Sequence, residues 1–235
     1  MNTQAAAAAP RARIIVALDL PTRTAALDLV RALSPHPGLF KIGLQLFIAA
    51  GPDIVRAVRD LGGRVFLDLK LHDIPNTVGR AVESASSLGA EMLTIHLHGG
   101  RAMTEAAVQS AAVEVLLLGV TVLTSADEMT LREIGVAATV EEQVMRLAQM
   151  GAAAGIRGLV ASPHELRPLR RAHGSGMKIV TPGIRPSGAN PNDQKRAMTP
   201  REALEAGADY LVIGRPITAA PDPRAALDQI VADVV

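Results

Sequence analysis

The feature that most constrains this chain is a regular alternation. Short apolar runs are followed by longer segments of helical periodicity, eight times over in about 220 residues. The apolar runs predict strands over 13–19, 39–44, 65–71, 91–96, 115–123, 158–161, 178–181 and 210–213. Helical periodicity falls over 25–33, from 45 to about 61, and over 78–88, 102–112, 140–153, 163–172, 200–206 and 216–235, with Thr22 as an N-cap before the first helix. Residues 124–135 read as an irregular insertion, and 182–198 as a long loop rich in Gly, Pro and Asn. Strict strand–helix alternation requires a parallel sheet, because each crossover returns the chain to the same edge. Eight such units predict an α/β fold, a single-domain (β/α)8 TIM barrel. A doubly wound open sheet is the alternative, but no Gly-rich turn follows the first strand.

Composition narrows the functions open to such a barrel. The 235 residues are 49% hydrophobic but only 2% aromatic, so the core must be built from Leu, Val, Ile and Ala. Few aromatic rings and a net charge of +1 speak against nucleic acid as a partner, since base stacking and phosphate neutralisation both lack their residues. There is no cysteine, which excludes disulfides, thiolate nucleophiles and Cys-ligated metals. No apolar run is long enough to span a bilayer, and the Ala-rich start lacks the basic and aliphatic regions of a signal peptide. The expectation is a cytoplasmic protein without a membrane partner, with 1–10 a flexible N-terminal extension and 11–235 the barrel domain.

The stretch Val65-Phe66-Leu67-Asp68-Leu69-Lys70-Leu71-His72-Asp73-Ile74-Pro75-Asn76-Thr77 carries the clearest chemistry. Side chains two apart on a strand share a face. Val65, Leu67, Leu69 and Leu71 therefore form one apolar side, and Phe66, Asp68 and Lys70 the other. A lone Asp-x-Lys is ordinarily an ion pair, but other polar residues fall at equivalent places. Asp19 ends the first strand, Lys41 lies in the second, His96 ends the fourth, Thr124 follows the fifth, and Gly214-Arg215 follows the eighth. Barrel enzymes place their sites at the C-terminal ends of the strands, and phosphates commonly sit by the last strand–helix junctions. Closed into a barrel, Asp19, Lys41, Asp68, Lys70 and Asp73 would form an alternating set of acids and amines that satisfy one another. His96 and His98 have the spacing of a metal pair but lack a matched carboxylate cluster, so no metal site is assigned. His72 and His164 read as ordinary loop or helix-start residues, and Ser125 has no evident base.

These residues together resemble the orotidine 5′-phosphate decarboxylase family, in its bacterial type. The match rests on Phe66 to Thr77 and, in order, on Val16-Ala-Leu-Asp19, Phe40-Lys-Ile-Gly43, Val122-Leu-Thr-Ser125, Thr181-Pro-Gly-Ile-Arg185, Asp193-Gln-Lys-Arg196 and Ile213-Gly-Arg215. It covers nearly everything from Arg13 onward; the Ala-rich extension and His98 depart from the pattern. The resemblance implies cofactor-independent decarboxylation of orotidine 5′-phosphate to uridine 5′-phosphate by a homodimer. It implies Lys70 as proton donor to C6, with Asp68 and Asp73 flanking the substrate carboxylate and Asp73 coming from across the dimer interface. Lys41 and Asp19 would hold the ribose hydroxyls, and Thr124 the pyrimidine edge. Gln194, Gly214 and Arg215 would grip the phosphate, Arg185 would belong to a closing loop, and Ile74, Thr77 and Pro182 would complete the substrate contacts. The competing enzyme is a Mg²⁺-dependent sugar-phosphate decarboxylase or aldolase of the same barrel superfamily. That chemistry needs a further carboxylate near the metal, where this chain has His96. A non-catalytic phosphate-binding barrel would have no use for Lys41, Asp68, Lys70 and Asp73 together.

Overall fold

A computed structural model describes residues 9–35, 37–186 and 198–234. Eight strands form a closed barrel: β1 (Ile14–Ala17), β2 (Leu39–Gly43), β3 (Val65–Leu71), β4 (Met92–His96), β5 (Leu116–Val120), β6 (Gly158–Val160), β7 (Lys178–Thr181) and β8 (Tyr210–Ile213). Each strand pairs in parallel with the next, and β8 returns to β1 through Ile14–Leu211, Ile15–Val212 and Val16–Ile213. The expected (β/α)8 architecture is therefore the observed one. The outer layer consists of α1 (Arg23–Ala32), α2 (Leu44–Ala50), α3 (Asp53–Asp60), α4 (Pro75–Ser87), α5 (Gly100–Ser110), α6 (Glu128–Glu133), α7 (Val140–Ala153), α8 (Leu166–His173), α9 (Pro200–Ala206), α10 (Arg215–Thr218) and α11 (Pro223–Asp233).

Local chemistry sets the helix starts. Thr22 caps α1 by accepting from the Ala25 N–H, as expected. Thr139–Glu142 and Thr199–Glu202 form reciprocal capping boxes on α7 and α9, each satisfying backbone donors that the helix leaves open. Several boundaries differ from the sequence reading. The segment after β2 is two helices, because Gly51 turns out at φ 69° and Pro52 follows it. The last helical segment is broken likewise, with Asp222 capping α11 after a turn. Residues 124–135 contain α6, capped by Asp127 and anchored by buried Leu131. The 163–172 segment opens with a 3₁₀ turn, Pro163–Glu165, before α8. Strand β1 stops at Ala17, leaving Asp19 two residues beyond it, and β5 stops at Val120. Residues 1–8 of the expected N-terminal extension lie outside the described residues, and Pro10–Arg13 forms a 3₁₀ turn leading into β1.

Two apolar cores follow from strand alternation. The larger lies between strands and helices and takes Val65 and Leu67 of β3, with Leu69 and Leu71 packed at its edge. The smaller fills the barrel with Ile15, Ala17, Leu39, Phe66, Met92, Leu118, Val180 and Val212. The barrel is tight: a Cβ at Gly158 would come within 2.5 Å of a Leu118 methyl, so β6 must offer glycine there. Following β3 toward its C-terminal end, the interior residue changes from Phe66 to Asp68 to Lys70. On β2 it changes from Leu39 to Lys41. The apolar plug thus forms a floor on which charged side chains stand.

Candidate active site

The charges at the mouth form a connected row. Lys41 Nζ lies 2.9 Å from Asp19 Oδ1 and 3.7 Å from Asp68 Oδ2. Lys70 Nζ lies 2.8 Å from Asp68 Oδ1 and 2.9 Å from Oδ2. Lys41 and Asp68 are both 9% exposed, whereas Asp19 stands at the rim. Burying isolated charges costs several kcal/mol each, so such a row persists only through mutual pairing. Gly43 makes the close approach possible: a Cβ there would stand 3.0 Å from Lys41 Nζ and 3.3 Å from Asp19 Oδ1.

Lys70 is not in ordinary strand conformation. Its φ of 50° makes it the one non-glycine residue with positive φ among the described residues. A left-handed residue of this kind costs about 1–3 kcal/mol and persists where its surroundings enforce it. The β3–β4 ladder slips at this point, pairing Leu67 with Leu93 and next Leu71 with Ile95. Buried Thr94 lies in the gap; its hydroxyl accepts from the Lys70 N–H at 2.9 Å and donates to Asp68 Oδ1 at 3.0 Å. Sequence reasoning missed Thr94 and the kink. The available signal was that Thr94 shares a strand face with Met92 and His96, inside the barrel.

These groups line a cavity of about 320 Å³, within the range of small-molecule sites. Asp19, Lys41, Asp68 and Lys70 form one wall, and Thr124, Pro182, Arg185, Gly214 and Arg215 line the others, so nine of the expected positions converge. Val120, Val160, Val180 and Val212 close the base of the cavity. Arg185 is buried and donates through Nη1 to the Ile184 carbonyl at 2.9 Å, while its N–H is held by the Met198 carbonyl. Arg215 is exposed at the rim, immediately after Gly214. Gln194 lies outside the described residues.

Asp73, Ile74 and Thr77 are not brought into this cavity. All three are exposed, Asp73 and Ile74 on the segment joining β3 to α4 and Thr77 in the first turn of α4, with Asp73 Oδ1 accepting from the Ile74 N–H at 2.6 Å and Ile74 66% exposed. Beside Lys70, the imidazoles of His72, His96 and His98 form a cluster, with ring centres 5.7 Å and 6.3 Å apart along the row. His96 is pushed down to about 4, first by burial, then by His72, His98 and Lys70, against the opposing pull of Asp68. Burial and His72 also lower His98. Among the described residues, no three His, Asp or Glu side chains are arranged to hold a metal ion. No helix among them is long and apolar enough to cross a membrane.

Comparison with known proteins gives a concordant result. The profile of the Orotidine 5′-phosphate decarboxylase / HUMPS family matches residues 12–230. The chain is 52% identical to orotidine 5′-phosphate decarboxylase of Moorella thermoacetica, covering 94% of this chain and 92% of that one. It is 53% identical to the protein of the same name from Opitutus terrae, covering 94% and 97%. The crystal structure of the orotidine 5′-phosphate decarboxylase from Lactobacillus acidophilus superposes with a TM-score of 0.83 at 36% identity, over 94% of this chain and 98% of that one.

Proposed function

The chain belongs to the orotidine 5′-phosphate decarboxylase/HUMPS family, and from that membership together with the row of charges at the mouth we infer that it converts orotidine 5′-phosphate to uridine 5′-phosphate, the decarboxylation step of pyrimidine biosynthesis. The observation that carries the reading is the lysine ammonium of residue 70, held by both oxygens of Asp68 at the edge of the cavity. When CO₂ leaves C6, the electron pair of the broken bond stays in an sp² orbital with no adjacent electron sink. A cation fixed beside C6 stabilises that charge as it develops, in a site where fixed dipoles need no reorganisation. Lys70 then supplies the proton: its N–H bond breaks, the C6–H bond forms, and the neutral amine regains a proton from solvent. No step requires a cofactor or metal.

The other roles follow from position. Lys41 and Asp19 hold ribose hydroxyls through the end of the row nearer the rim. Thr124 meets the pyrimidine edge, with Pro182 beside it. Gly214 and Arg215, with Gln194, grip the phosphate, and Arg185 supports that wall. Phosphate contacts are remote from the breaking bond and act through orientation. The active unit is a homodimer in which Asp73 of the partner subunit completes the carboxylate-flanking pair with Asp68, and the segment carrying Ile74 and Thr77 follows it across. The exposure of that segment on a single chain, with Ile74 66% exposed, supports this arrangement. The substrate's charge keeps it within the cytoplasm, where this enzyme would work.

The family description spans HUMPS proteins too, but Asp68 favours the decarboxylase over a metal-dependent reaction. Both its oxygens are taken by Lys70, with Lys41 and Thr94 close by, so a metal would have to displace these partners. The test is ultraviolet loss of orotidine 5′-phosphate with purified protein, with and without chelator. Turnover indifferent to chelator is expected; no turnover, or turnover that chelator removes, refutes the reading.

A further inference from the structure

We propose that Thr94 is a positioning residue for decarboxylation, setting both the lysine and the carboxylate that work beside C6; this rests on the function given above. Between its flanking pairs, Leu67–Leu93 and Leu71–Ile95, β3 spends Asp68, Leu69 and Lys70 where β4 spends Thr94 alone. A strand with surplus residues loses a backbone partner at the bulge. Here the missing partner for the Lys70 N–H is the Thr94 hydroxyl, at 2.9 Å. A hydroxyl has one donor and two acceptor sites. With an acceptor site given to Lys70, its single hydrogen goes to Asp68 Oδ1 at 3.0 Å.

One oxygen therefore fixes the left-handed backbone of Lys70 and the rotation of the carboxylate that receives its ammonium. Thr94 is fully buried, so water is in no position to replace the hydroxyl. It does not line the cavity and has no direct contact to offer the substrate. Its effect passes through Lys70 and Asp68, and only the chemical step depends on their placement.

The discriminating comparison is Thr94→Val against Thr94→Ser, with Thr94→Ala as the cavity-matched partner of the serine variant. Each is assayed for kcat and KM with orotidine 5′-phosphate and for binding of uridine 5′-phosphate, after a thermal melt. Thr94→Val is expected to lower kcat about 100-fold, the scale of a lost charge-directed hydrogen bond or a 1 Å misplacement. KM and uridine 5′-phosphate affinity should stay within about 3-fold, because the Thr94 hydroxyl bonds Lys70 and Asp68 and not the ribose partners Asp19 and Lys41, and the phosphate contacts lie on other walls; Thr94→Ser should recover kcat to within about 5-fold of wild type. Wild-type kcat in Thr94→Val, or equal losses in the serine and alanine variants, overturns the proposal; so does loss of product binding in step with kcat. If Thr94→Val fails to fold, the serine–alanine pair, which differs by the hydroxyl, decides. Absence of turnover by the wild type overturns the functional reading instead. Crystal structures of Thr94→Ala and Thr94→Ser then still test the positioning: an unchanged left-handed Lys70 in the alanine variant refutes it.

Discussion

The two ends of the barrel hold ionic clusters of similar size that behave differently. At the closed N-terminal end, Asp209 accepts from Arg170 at 2.7 Å, from Lys178 at 3.2 Å and from the Ile179 N–H at 2.9 Å. The remaining donors of Arg170 go to the carbonyls of Gly174, Met177 and Gly207, and Arg13 reaches the carbonyls of Ala208 and Asp209. At the open end, Asp19, Lys41, Asp68 and Lys70 are bonded mainly to one another, around a cavity. The floor charges are satisfied by backbone that cannot move away. The mouth charges are satisfied by side chains that a ligand can re-partner. Ionic groups tied to main chain serve stability, whereas groups tied to other side chains remain available for chemistry.

The sharpest break between the two ends is expected from Lys70→Ala. Turnover should fall by at least about 10⁴-fold, since both charge stabilisation and the proton are removed, in a protein that still folds because Asp68 keeps Lys41 and Thr94 as partners. Wild-type-like kcat in this variant would remove the central assignment. Mixing Lys70→Ala with Asp73→Asn after dissociation comes next. Half of randomly formed pairs are mixed and one site of two in each is whole, so activity should return to about one-quarter of wild type. Failure to recover activity in mixed dimers places Asp73 within its own subunit's chemistry, and an Asp73→Asn variant that is active alone places it outside the site.

Arg215→Ala should act mainly on KM, raising it about 100-fold, with partial rescue by free guanidinium, because it removes phosphate binding rather than the proton donor. Steady-state kinetics with and without guanidinium test this. At the floor, Asp209→Asn should leave kcat and KM unchanged for the folded protein but lower unfolding free energy by about 1–3 kcal/mol, through unmatched Arg170 and Lys178. Urea unfolding measures it, and an activity loss there would dissolve the distinction between the ends.

The smallest effect is a pH dependence at the mouth. His96 is held down to about 4 when folded but titrates near 6.5 when unfolded. As pH falls through that window the unfolded chain takes up a proton that the folded chain refuses, so this contribution to stability is lost between about 6.5 and 4 and levels off below. His96→Gln should flatten the fall in urea midpoint between pH 7 and pH 4.5 relative to wild type.

The sequence reading predicted the barrel because the alternation of strand and helix signals is local. Caps such as Thr22 and the two-residue period of Phe66, Asp68 and Lys70 are visible without knowing what lies beside them. It also placed Asp19 at the end of a strand, Lys41 within one, Thr124, Gly214 and Arg215 just after strands, and Pro182 and Arg185 in the loop after the seventh, and all of them line the cavity. Helix breaks were less legible, since Gly51-Pro52 and the turn before Asp222 interrupt apolar periodicity without ending it.

What the sequence determined by itself was the set of charges and the face each strand presents, because side-chain alternation is a property of a single strand. What tertiary structure alone decided was how those charges are held. The left-handed Lys70, the slipped β3–β4 ladder and the hydroxyl of Thr94 that serves both neighbours arise from pairing between segments some two dozen residues apart (|i−j| 24 and 26). Local propensity carries no information about a partner on another strand. A lysine with a strand former on either side reads as strand until the neighbour across the ladder is known.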